Sequence, residues 1–127
     1  TSVFKSSKPP VPSTRMPAVT DGTFKQRIKE PGTHVVFFTS RDCYYCKEVQ
    51  PIVESVARKH RGEIDFTAMD FDMNPETVTR LKVDAVPTMV VYRDGKLVRR
   101  IVGTTGRHEL EAEVRKMQGK NKKEAKQ

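Results

Sequence analysis

Cys43 and Cys46 are the only cysteines of the chain, separated by Tyr44 and Tyr45. Cysteine reacts as its thiolate, which is favoured where unpaired backbone N–H groups and the positive end of a helix dipole meet the sulfur. Residues three apart share a helix face, so a second thiol at this spacing can resolve a mixed disulfide formed by the first. The same spacing also serves half of a zinc site. Two cysteines this close do not staple distant segments as secreted domains require. His34, His60 and His108 lie far apart and have no metal-ligand spacing to the cysteines, so surface roles are expected for them. Asp65, Asp70 and Asp72 read as a solvated strand end rather than a calcium loop.

The surrounding elements decide how the pair is used. His34–Thr39 is an unbroken β-prone run, suited to a strand covered on both faces. Ser40-Arg41-Asp42 is a turn, with Asp42 as the expected N-cap of a helix from about Cys43 to His60. Val49, Ile52, Val53 and Val56 form its apolar stripe, and Pro51 predicts a kink rather than a break. Before the pair, Met16–Val19 reads as a short strand. Thr20 or Asp21 is the expected cap of a short helix carrying Phe24 and Ile28. After it, Ile64–Phe71 is an inner strand and Asn74-Pro75-Glu76 opens a short helix ending near Lys82. Pro87–Tyr92 and Leu97–Val102 form a hairpin around Asp94-Gly95, and His108–Met117 is a final helix. This order predicts an α/β fold, a mixed sheet of four to five strands with helices on both faces.

The formal charge of +8 is unevenly placed. Residues 1–19 hold Lys5, Lys8 and Arg15 and no acid, and residues 116–127 hold five lysines against Glu124. The middle is therefore close to neutral, and no specific nucleic-acid face is expected. The expected division is a basic, disordered arm over 1–15, a domain over 16–118 and a lysine-rich disordered tail over 119–127. No apolar run reaches membrane-spanning length. The Ser-, Pro- and Lys-rich, acid-free start resembles the remnant of an organelle presequence, which points to an intracellular protein of the mitochondrial matrix.

A strand, a turn, a Cys-x-x-C and a long helix in that order favour redox chemistry over zinc. From here the sequence resembles the thioredoxin family over residues 16–118. Lys47 and Pro51 follow the cysteines as in that family. Asp72-Met73-Asn74-Pro75, Val86-Pro87-Thr88, Tyr92-Arg93-Asp94-Gly95-Lys96 and Val102-Gly103 match its later motifs in order. The resemblance implies the thioredoxin fold, Cys43 as attacking thiol, Cys46 as resolving thiol and a cis Val86–Pro87 bond. It also implies a substrate groove formed by Asp42, Tyr44, Tyr45, Val86 and Pro87.

The departures bear on activity. Asp42 stands where thioredoxins place a tryptophan, and a carboxylate beside Cys43 disfavours its thiolate. Phe37 replaces the family's buried acid and Ala68 the lysine that partners it. Losing both is coherent, since either alone would be a buried unpaired charge. Tyr44-Tyr45 replaces Gly-Pro. The expectation is a thiol–disulfide oxidoreductase of weakened activity toward protein disulfides, monomeric, without cofactor and restored by a separate disulfide reductase. One alternative is a holdase or adaptor binding clients at the groove, with the cysteines as a redox sensor. Another is an iron–sulfur cluster shared by Cys43 and Cys46 of two chains, because a tyrosine before the second cysteine is similar to cluster-binding glutaredoxins.

Overall fold

A computed structural model describes residues 15–126, with side chains to residue 117. Four strands make one sheet: β1 Thr33–Thr39, β2 Ile64–Asp70, β3 Thr88–Arg93 and β4 Lys96–Val102, in the order β2-β1-β3-β4. β1 is parallel to β2 and antiparallel to β3, and β3 is antiparallel to β4. The segment expected as a strand at Met16–Val19 makes a single bridge, Ala18 to Ala68, at the outer side of β2.

Strand alternation sends successive side chains to opposite faces, and each face has its own core. Val35 and Phe37 point to the side covered by α2 (Tyr44–Lys59) and α4 (Arg107–Lys126), where they pack with Val49, Val53, Leu110 and Val114. Val36 and Phe38 point to the side of α1 (Phe24–Lys29) and α3 (Pro75–Arg80), with Phe24, Ile28 and Met69. All seven residues of β1 are buried, which is why its sequence shows no polar alternation.

Three expectations change. Asp21 does not cap α1; its carboxylate accepts from Thr77 N–H (2.8 Å) and Glu76 N–H (3.1 Å) and so caps α3 from 55 residues away. His34 is buried, not at the surface, because the inner strand that carries it is covered on both sides. Its Nδ1 lies 2.9 Å from Asp65 Oδ2 and its Nε2 lies 2.8 Å from the Glu30 carbonyl. The lysine-rich segment expected to be unstructured continues α4 to Lys126. Lys, Glu and Ala are good helix formers, and a single glycine costs only about 1 kcal/mol. The basic arm expected over residues 1–15 lies outside the described residues except for Arg15, whose N–H donates to Glu54 Oε2 (3.1 Å). Among the described residues, no helix is long and apolar enough to cross a membrane.

Candidate active site

The turn from β1 to α2 delivers Cys43 to the start of a 16-residue helix that runs unbroken through Pro51. The helix begins one residue later than the sequence indicates. Cys43, not Asp42, is the N-cap, and its sulfur accepts the Cys46 N–H at 3.0 Å. The cap bond therefore goes to the sulfur itself, and Asp42 takes none of it. Such a bond stabilises negative charge on Cys43 Sγ.

Cys43 and Cys46 are joined as a disulfide with Cα atoms 5.2 Å apart. Cys43 is half-buried and Cys46, beneath it, is 1% exposed. Val86–Pro87 is cis, as the family resemblance implies, and the Val86 carbonyl lies 3.8 Å from Cys43 Sγ. The loop carrying that bond is held by Thr88 Oγ1 donating to the Ala85 carbonyl (2.7 Å) and Gly103 N–H donating to the Pro87 carbonyl (2.8 Å). Gly103 sits at φ +88°, a conformation that favours glycine.

Tyr44 and Tyr45 are 65% and 59% exposed and meet edge-to-face with centroids 5.1 Å apart. A hydrogen bond to Glu48, one turn on, holds the Tyr44 phenol above its ordinary pKa. Asp42 is exposed beside Cys43. Phe37 and Ala68 are register partners across β1 and β2, both buried in the core beneath the site. The two positions at which the sequence resemblance implies an acid and its lysine are thus neighbours, and both are apolar here.

The pair that fixes the turn carries no local sequence signal. Ser40 Oγ donates to Asp72 Oδ2 (2.6 Å), tying the exit of β1 to the exit of β2. Asn74 adds a bond from its amide to the Asp70 carbonyl (2.9 Å). Among the described residues, no three His, Cys, Asp or Glu side chains gather as metal donors. An iron–sulfur cluster wants four ligands, so Cys43 and Cys46 of one chain supply half a set.

A thioredoxin family model matches residues 15–116. The chain belongs to the thioredoxin family. The thioredoxins of Staphylococcus aureus strains Mu50 and MW2 are each 35% identical over 96 residues, covering 76% of this chain and 90% of theirs. A chain from a solved structure superposes with a TM-score of 0.73 at 25% identity, covering 80% of this chain and 95% of its own. That structure is described as the basis of the thiol resolving mechanism in yeast mitochondrial 1-Cys peroxiredoxin via glutathione/thioredoxin systems. The paired cysteines are thus a thioredoxin-type redox-active disulfide at a helix start.

Proposed function

We propose that the chain is a thiol–disulfide oxidoreductase acting on protein disulfides, with slower reductase turnover than a thioredoxin of ordinary site sequence. The observation that carries this is Cys43 as the N-cap of α2, half-exposed, with its sulfur accepting the Cys46 N–H. Cys43 attacks a substrate disulfide and Cys46 then displaces it. A separate disulfide reductase restores the dithiol. Asp42, Tyr44, Tyr45, Val86 and Pro87 line the groove in which the substrate lies. The slowness follows from Asp42 beside the nucleophile and from the apolar Phe37–Ala68 pair, which leaves Cys46 without the family's proton-carrying acid.

The protein works as a monomer, without cofactor and without specific nucleic-acid contact. The acid-free composition of residues 1–15 supports a mitochondrial matrix location. The test is reduction of a model protein disulfide, with the Staphylococcus aureus thioredoxin as reference and Cys43→Ser as control. Turnover that is slow but abolished by Cys43→Ser supports the proposal. Turnover equal to the reference refutes the slowness, and none at all refutes the enzyme.

The exposed Tyr44–Tyr45 pair favours a second reading, a holdase that binds unfolded clients by aromatic contact. Suppression of client aggregation that survives Cys43→Ser with Cys46→Ser, together with absent reductase activity, would establish it. A cysteine-dependent visible absorbance after anaerobic iron and sulfide reconstitution would favour the cluster reading instead.

A further inference from the structure

Thr39 is the last residue of β1 and is 2% exposed. Its Oγ1 is buried and has no hydrogen-bond partner among the described residues. Leaving a hydroxyl in that condition costs about 1–3 kcal/mol. Two residue series converge on it. On β1, Val35 and Phe37 face α2, and alternation sets Thr39 third on the same face. On α2, the buried stripe runs back through Val53 and Val49 to Cys46. β1 leads through the four residues Ser40 to Cys43 into the start of α2, so Thr39 and Cys46 are the ends of the two series at the same end of the sheet.

From this we propose that, once the disulfide has opened, the Thr39 hydroxyl turns to donate a hydrogen bond to the Cys46 thiolate, a bond it does not make to the disulfide sulfur. The inference rests on the oxidoreductase reading above. When Cys43 has attacked a substrate disulfide, the mixed disulfide joins Cys43 Sγ to a substrate sulfur. Cys46 gives its proton to solvent water and its thiolate attacks Cys43 Sγ. The Cys43–Cys46 bond forms and the Cys43–substrate bond breaks. The departing substrate thiolate takes up a proton, so one substrate disulfide has gained two electrons and two protons. A hydroxyl is too weak an acid or base to carry that proton. It stabilises the Cys46 thiolate before attack and again when the disulfide is reopened.

Other titratable or charged groups stand around this end of the sheet. Among them are Cys43 across the bond, Asp70 opposite Thr39 on β2, and Asp42, Lys47 and Glu48 at exposed positions around the helix start. β1, β3 and α4 contribute Phe37, Met89 and Leu110 to this core, none of which titrates.

The experiment follows the thiolate absorbance of Cys46 against pH in a Cys43→Ser background. Thr39→Val should move the Cys46 titration up by about one pH unit, roughly a tenfold loss of thiolate near neutrality. Thr39→Ser, which keeps the hydroxyl, should stay near the parent. Thermal unfolding of Thr39→Val should be unchanged or raised, because an unpartnered buried hydroxyl is removed. Should Thr39→Val not fold, Thr39→Ala against Thr39→Ser gives the same comparison. An unmoved titration in Thr39→Val, or a Thr39→Ser that follows it, overturns the proposal. The titration needs no turnover, so a protein that titrates as stated yet reduces no protein disulfide removes the enzyme reading alone.

Discussion

At Cys43 two influences oppose each other. The Cys46 N–H at the sulfur favours the thiolate, and the exposed carboxylate of Asp42 disfavours it. Because Cys43 rather than Asp42 takes the cap bond, Asp42 acts through charge alone. Asp42→Asn should therefore suffice to lower the Cys43 pKa, by up to about 0.7 unit, since two charges near 4 Å in water interact by roughly 1 kcal/mol. The pH profile of iodoacetamide alkylation measures it, and the gap between parent and variant should shrink in high salt. A gap that is absent at low salt would show that the carboxylate is too well solvated to matter. Asp42→Trp should speed reduction for the same reason. Phe37→Asp is the opposite case: it places a charge in a fully buried position facing Ala68. Losing the ring alone costs about 3–5 kcal/mol, and the buried charge adds to that. Adding Ala68→Lys should recover part of the loss in denaturant unfolding. A double variant no more stable than Phe37→Asp would mean the two sites no longer pair.

At the scale of elements, most of the architecture was legible because it is local. The β1 run, the α2 stripe at 49, 53 and 56, and the Asp94-Gly95 hairpin each carry their own periodicity or turn chemistry. What stayed hidden was chemistry that joins segments distant in sequence. Asp21 looks like a cap for the helix that follows it and instead caps α3. Ser40 looks like a turn residue and instead holds Asp72. His34 looks polar and instead sits in an inner strand. The site was half legible. The cysteines and the Val86–Pro87 bond stand in local motifs, whereas the orphan hydroxyl of Thr39 appears only once β1 and α2 are packed. The His34 network binds α1 to the sheet: Arg27 makes two bonds to Asp65, at 2.8 and 2.9 Å, and His34 a third. Arg27 chiefly, with His34, holds the Asp65 carboxyl below its ordinary pKa. A carboxyl depressed in the folded state stabilises above its unfolded pKa and loses that contribution as pH falls through the folded value. Asp65→Asn should thus cost about 1–3 kcal/mol at pH 7. The difference from the parent should close below about pH 4. Urea unfolding at several pH values reads this, and a cost that is independent of pH would assign it to packing instead.

For the whole molecule, the redox site and the charge are carried by different parts. Both cores and every site residue lie between Met16 and Met117, which belong to the same cluster. The segments beyond residues 15 and 117 hold Lys5, Lys8, Lys120, Lys122, Lys123 and Lys126 against Glu124 alone. A chain trimmed to residues 15–117 should therefore keep its Cys43–Cys46 disulfide and its rate of protein-disulfide reduction, while losing most of the excess positive charge. Electrostatic adsorption to anionic vesicles, strong at low salt for the full chain, should fall sharply in the trimmed one. Trimming further, past Met16 and Met117, removes two buried side chains from the core beneath α2 and should cost about 2–5 kcal/mol for each. The measurements are thermal unfolding, vesicle co-sedimentation and the reductase assay on the same three chains. Loss of turnover on trimming to 15–117, with the melting temperature intact, would place part of the working site in the basic ends and overturn this separation.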